Sequence, residues 1–234
     1  MVTKRYRVIN KTLRAAGLTG CLCIGLIGAS KIGGIAVSTT VLNAVQAFLI
    51  VLLVDLVGGA VHWAEDTFGT ENTPIFGTWL IKPNILHHTP HGANAFLNNH
   101  WLYSSWDLFT AAPIVLGVSA ALGVLTWQVW LFVLVGAMSQ QVHRISHTPV
   151  SKLPKFVRLL QLTCIIQDGP HHWSHHGNDK NTGYCVVTPF LNPLLDRIKF
   201  WRGLERILVP FFGAPRRQDL RDEPWYTGNL LLRK

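Results

Sequence analysis

Charge is what this sequence lacks. Only 14% of its 234 residues are charged, against 49% hydrophobic, and the mean hydropathy is +0.26. A soluble domain of this length needs a more polar shell, so the composition points to a membrane protein. Cysteine is sparse too, with four in the chain and no CxxC pair. Cys21 and Cys23 fall inside an apolar run, while Cys164 and Cys185 stand alone, which reads as small buried side chains. The HExxH of zinc proteases is missing, "HTPHG" lacks the spacing of a cytochrome b5 haem motif, and no flavin or nicotinamide fingerprint occurs. Redox chemistry in this chain would therefore draw its electrons from outside.

What the chain does have is long apolar runs. A bilayer core of about 30 Å needs roughly 20 helical residues, and runs over about 13–30, 35–60 and 107–126 satisfy that requirement. A fourth, 128–145, qualifies only if its helix continues through "SQQVHRISH". The first run follows a basic front, "KRYRVINKTLR", but "GASKIGG" is a poor cleavage site and a longer apolar run follows at once, so a retained span is expected. Lys4, Arg5, Arg7 and Lys11 precede it and Arg14 stands at its start, whereas the loop after it carries only Lys31 and the loop between the third and fourth runs has no basic residue. The positive-inside rule then puts both termini in the cytoplasm. On this reading the net charge of +9 reflects topology and attraction to lipid rather than nucleic-acid binding.

The expected fold is an all-α integral membrane protein with about four transmembrane helices and a cytoplasmic His-rich helical cap. Residues 1–12 form a basic cytoplasmic N-terminus, 13–215 the membrane domain and 216–234 a polar tail. The His-rich regions are 62–100 and 143–190. Over 191–209, Leu194, Ile198, Trp201, Leu204 and Leu208 share one face, with Asp196, Lys199, Arg202 and Arg206 mostly opposite. That pattern predicts one amphipathic helix, lying on the headgroup surface or packed on the domain. Gly58, Gly59, Gly117, Gly123 and Gly136 are candidates for close helix packing.

In this topology all 11 histidines reach one side of the bilayer. Residues four apart share a helix face. His62 and Asp66 have that spacing in "HWAED", and His143 and His147 repeat it in "HRISH". In "HHWSHH", His171 pairs with His175 and His172 with His176, on a helix begun by Pro170 and capped by Asp168 or Gly169. His87 and His88 lie in the preceding cytoplasmic loop, together with His91 and His100. Each group alone could be an interfacial anchor or a solvated helix end. Together they form a metal site, because neutral imidazole suits iron, zinc, copper and nickel. Nine or ten ligands exceed the needs of one zinc ion and fit two ions with four or five each. A dinuclear iron centre that activates O2 is therefore favoured.

The stretches "VHWAEDTFGTENTPIFG", "LHHTPHGANAFLNNHW", "QVHRISH" followed by "LPKFVRLLQ", and "GPHHWSHH" followed by "YCVVTPFLNPLLDRIKFWRGLE" resemble the plasmanylethanolamine desaturase family. That family includes the chloroplast enzyme that desaturates the palmitate of phosphatidylglycerol. The resemblance runs in order over roughly residues 50 to 215. It implies a membrane lipid desaturase with two iron ions and O2 as co-substrate. It also implies a glycerophospholipid substrate and an external ferredoxin- or cytochrome b5-type electron donor. Carried over by position, the implied ligands are His62, Asp66, His87, His88, His143, His147, His171, His172, His175 and His176. Asp66 is either a ligand or an orienting partner, and His91 and His100 fall where the match is loose. Asn98 and Asn99 resemble the plant-type members, so an acyl chain and a vinyl-ether precursor both remain open. Two rival readings are a di-iron lipid hydroxylase and a membrane metal or haem carrier. A carrier would hold its ion nearer the bilayer midplane than these histidines lie.

Overall fold

A computed structural model describes residues 35–89, 97, 105–176 and 181–213. The expected first span, the basic N-terminus, the polar tail, Cys21 and Cys23, and His91, Asn98, Asn99 and His100 lie outside the described residues. Among the described residues every regular element is a helix, with no strand.

Helix α1 (Ile35–Thr67) is the longest element. It does not stop at the end of the apolar run but continues through His62 and Asp66, because "VHWAED" contains no glycine or proline to end it. After a π-helical turn, Gly77–Ile81, comes the short α2 (Lys82–His87), opened by Pro83 in its first turn. Helices α3 (Trp106–Ala121) and α4 (Trp127–His147) form an antiparallel pair, and α4 packs on α1, α3 and α6 alike. Helix α5 (Lys155–Leu162) leads to α6 (Gly169–His175), whose N-cap Asp168 accepts the His171 N–H at 3.0 Å. That is the cap expected from "DGPHH".

The expectation of four spans is only partly met. Thr39–Thr67 in α1 is long and apolar enough to cross a bilayer, and it is the one such helix among the described residues. Its side chains Leu42, Val45, Phe48, Leu49, Leu53, Val57 and Val61 are exposed, an apolar outer stripe that suits lipid rather than water. Helix α3 has 16 residues, short of the roughly 20 a bilayer needs. Helix α4 has 21, but its last turns, "SQQVHRISH", are polar and turned into the protein.

The single amphipathic helix expected over 191–209 is instead two, α7 (Leu191–Arg197) and α8 (Phe200–Phe212), joined at Lys199 in the left-handed region with φ 54°. The break turns Trp201 inward while Leu194 and Ile198 stay exposed, so the expected single apolar face is divided. Trp201, Leu195, Tyr184, Cys185 and Trp63 form a buried cluster with Leu204 and Leu208 packed on it. Trp63 donates its indole N–H to the buried Glu205 at 3.1 Å, which ties α8 to α1 beside His62. Cys164 and Cys185 are buried and unlinked. Of the glycines named for close packing, Gly59 alone makes a tight approach, since an added Cβ would lie 2.7 Å from Cys185 Sγ.

Candidate metal centre

Two groups of ligand-capable side chains lie side by side where α1, α2, α4 and α6 meet. One comprises His87, His143, His147, His172 and His176, and the other His62, Asp66, His88 and His175; within each group one ligand atom per residue lies within 4.8 Å of the rest. The i, i+4 logic holds for three pairs: His143 with His147, His172 with His176, and His62 with Asp66. Adjacent residues split between the groups, His87 and His175 away from His88 and His176 respectively. Successive residues on a helix point about 100° apart and cannot chelate one ion together. The groups nonetheless adjoin, with ring centroids 4.1 Å apart for His87 and His88 and 4.5 Å for His88 and His176.

His171 does not join His175. It is partly buried, and its Nε2 accepts from the Asn192 amide at 3.1 Å, outside both groups. A helix of seven residues presents two rows of imidazoles, but α4 and α1 lie across only one side of it.

The tautomers are fixed from behind. His62 Nδ1–H donates to the Tyr184 carbonyl at 3.1 Å, His87 Nδ1–H to the Asn84 carbonyl at 2.6 Å and His175 Nδ1–H to the Thr182 carbonyl at 2.7 Å. A carbonyl only accepts, so in each neutral ring Nε2 keeps its lone pair. His62 Nε2 and His175 Nε2 then face Asp66 Oδ2 at 3.7 and 3.3 Å. His88 Nε2 lies 3.1 Å from Asp66 Oδ1, which also accepts from Asn84 Nδ2 at 2.7 Å. In the other group His147 Nε2 is 3.2 Å from His143 Nε2, His172 Nε2 2.9 Å from His147 Nε2, and His176 Nε2 3.0 Å from His172 Nε2.

A neutral imidazole nitrogen aimed at a carboxylate, as His62 Nε2 is at Asp66, is repelled unless positive charge lies between them. Two imidazole nitrogens at a bond length of roughly 2.1 Å and a right angle about one cation stand about 3.0 Å apart, the spacing seen here. Burial supports the same conclusion: it holds His87 and His172 well below the usual imidazole range and His176 down to about 2, with neighbouring imidazoles adding to the shift. These rings are neutral, the form that binds a metal. The residues present therefore fit a pair of metal ions.

Sequence reasoning missed Asn84, which braces both Asp66 and His87, although its position three before His87 puts it on the same helix face. It also missed the buried Asp55, whose carboxylate accepts from Val187 N–H at 2.8 Å and Thr188 N–H at 2.9 Å. A lone acid in an apolar run was the available signal.

The lipid desaturase domain matches residues 51–219, which contain both groups. Plasmanylethanolamine desaturase 1 of Mus musculus is 31% identical over 183 residues, covering 73% of this chain and 66% of its own. Fatty acid desaturase 4 of Arabidopsis thaliana chloroplasts is 30% identical over 210 residues, 88% of this chain and 64% of its own. A probable fatty acid desaturase of Acanthamoeba polyphaga mimivirus is 28% identical over 195 residues, 80% of this chain and 95% of its own. The chain thus spans about two thirds of the mouse and plant relatives and nearly all of the viral one. No solved structure matches. With the domain matched across most of its length and the histidine groups inside that match, the chain belongs to the lipid desaturase family, whose members are membrane-associated oxidoreductases.

Proposed function

We propose that the chain is a multi-pass membrane desaturase that holds two iron ions and uses O2 to introduce a double bond into an alkyl or acyl chain of a glycerophospholipid. The substrate class comes from relatives named plasmanylethanolamine desaturase and fatty acid desaturase. The observation that carries the reading is the gathering of nine ligand-capable side chains into two adjoining groups, with His62, His87 and His175 oriented from behind by backbone carbonyls.

His87, His143, His147, His172 and His176 would hold one ion, and His62, Asp66, His88 and His175 the other. Iron, when bound, supplies the oxidising power needed to break an unactivated C–H bond. The chain's own residues do the positioning. The carbonyls of Tyr184, Thr182 and Asn84 keep His62, His175 and His87 in the ligand tautomer. The exposed stripe Leu53, Val57 and Val61 on α1 ends one residue before His62, so an aliphatic chain lying along that helix is delivered to the ligand end. Which carbons react is then set by how far the chain can advance. Basic residues ahead of the first apolar run put the termini and the centre on the cytoplasmic side. An external one-electron donor completes the turnover.

The test is lipid mass spectrometry of a host with and without the chain, paired with iron analysis of the purified protein. Loss of two hydrogens from a lipid chain, dependent on O2, is the expected result. Gain of one oxygen would make the chain a hydroxylase, and bound iron with no lipid change would make it a carrier.

A further inference from the structure

Between Glu71 and Asp168 the sequence holds one acid, Asp107, and the stretch from 108 to 167 carries Arg144, Lys152, Lys155 and Arg158 against none. Three of these cations have an ordinary place. Lys152 and Lys155 are exposed, and the Arg158 guanidinium donates to the carbonyls of Leu153 at 2.9 Å and Ser151 at 3.3 Å. Arg144 differs. It follows His143 on α4 and precedes His147 by three residues, and its side chain leaves the helix about 100° round from His143, beside the ligand group and not into it. Its Nη2 donates to the Leu97 carbonyl at 2.5 Å, while its Nη1 is enclosed without a partner, and among the described residues no carboxylate pairs with it. Residues 90–104, which bracket Leu97 in the chain, contain no Asp or Glu.

A charge taken part-way out of water is stable where an anion answers it. The neighbouring centre offers none to spare. Asp66 is the one carboxylate among the nine ligand-capable side chains; it already faces His62, His88 and His175 and accepts from Asn84. Divalent ions in both groups would leave the whole positive, which adds to the demand for an anion. We propose that Arg144 binds the phosphate of the glycerophospholipid substrate and thereby selects lipids that carry one, an inference that rests on the desaturase reading above.

The placement suits that role. Helices α1 and α4 pack along each other, and both carry their ligand residues toward their C-terminal ends. A lipid whose tail lies along Leu53, Val57 and Val61 with its polar end at the membrane surface brings its phosphate to the level of Arg144. A guanidinium has five N–H donors, and the Leu97 carbonyl takes one, so a fork remains for two phosphate oxygens. Lysine would supply the charge without the fork.

The test uses the metal-free full chain in dodecyl maltoside. Dipalmitoyl phosphatidylethanolamine is the probe and dipalmitoylglycerol, with the same chains and no phosphate, is the control; native mass spectrometry reads the binding of both. Arg144→Gln should weaken phosphatidylethanolamine binding by about tenfold or more, the worth of hydrogen bonds to a charged group, and leave dipalmitoylglycerol unchanged. Arg144→Lys should fall between the two. In the iron-loaded protein the glutamine variant should raise KM for the phospholipid by a similar factor and leave kcat within a few-fold. Equal loss of both lipids would make Arg144 only a brace for the Leu97 segment, and this overturns the proposal. Unchanged phosphatidylethanolamine binding overturns it too, and if inorganic phosphate is what the variant loses instead, Arg144 serves a free anion. Should Arg144→Gln fail to fold, Arg144→Lys keeps the charge and carries the same comparison, with a smaller loss confined to the phospholipid. Binding is read without metal, so a chain that holds no iron sinks the desaturase reading and leaves this comparison informative.

Discussion

Asp55 and Thr188 are joined twice: one oxygen of the Asp55 carboxylate accepts both the Thr188 N–H, at 2.9 Å, and the Thr188 hydroxyl, at 2.6 Å. The other oxygen accepts the Val187 N–H at 2.8 Å. A fully buried acid in the apolar helix thereby pins the irregular segment that carries the Tyr184 carbonyl behind His62. Asp55→Ala would leave buried donors without acceptors, at a cost on the order of 3 kcal/mol. Thermal unfolding in detergent should fall clearly, and metal content with it. An Asp55→Ala protein with unchanged unfolding would mean that this contact does not hold the segment.

His171 and His172 separate a neighbour from a ligand. His172 is fully buried with its Nε2 among the converging nitrogens, whereas His171 bonds Asn192 outside both groups. His172→Ala should lower the metal content by at least one ion per chain and abolish desaturation. His171→Ala should retain both ions, with activity within a few-fold of the parent. Elemental analysis of the two purified variants decides the matter, and loss of metal from His171→Ala would return that residue to the ligand set.

The contrast follows from what a sequence encodes locally. The pairs His62/Asp66, His143/His147 and His172/His176 were legible because four-residue spacing on a helix is a local property. The assignment of His171 was not, because it depends on which side of α6 faces α1 and α4, a matter of tertiary packing. The same limit applies to 191–209, where hydrophobic periodicity runs unbroken through Lys199 although the backbone turns there. Only the burial of Trp201 among Trp63 and Tyr184 reveals why two helices are preferred to one. Asn84 and Asp55 were hidden for a similar reason, since their partners are backbone groups or side chains brought in from other segments.

Gly58 and Gly59 give a paired test of helix packing. A Cβ at Gly59 would lie 2.7 Å from Cys185 Sγ and 3.2 Å from the Cys185 backbone, while one at Gly58 meets nothing within 4 Å. Gly59→Ala should therefore destabilise by about 1–3 kcal/mol through overpacking. Gly58→Ala should be neutral or stabilise by up to about 1 kcal/mol, because alanine suits a helix interior better. Equal unfolding temperatures for the two variants would contradict the close approach of α1 to Cys185.

Removal of metal should make the chain sensitive to acid. Burial holds the folded-state His87 and His172 well below the usual imidazole range, and His176 down to about 2. In the unfolded chain the same rings titrate near 6.5. Below about pH 6.5 the unfolded state therefore binds more protons than the folded one, and stability falls as pH falls. Their contribution is intact above that pH and erodes by about 1.4 kcal/mol per unit below it for each fully buried ring. Chelator-treated protein should lose its unfolding transition between pH 7 and pH 5. Added ferrous iron should raise the unfolding temperature at pH 7, because it binds the folded, neutral rings and stabilises them by mass action. A metal-free chain equally stable at both pH values would mean that these imidazoles titrate in the fold as they do in the unfolded chain, and that burial does not hold them in the metal-binding form.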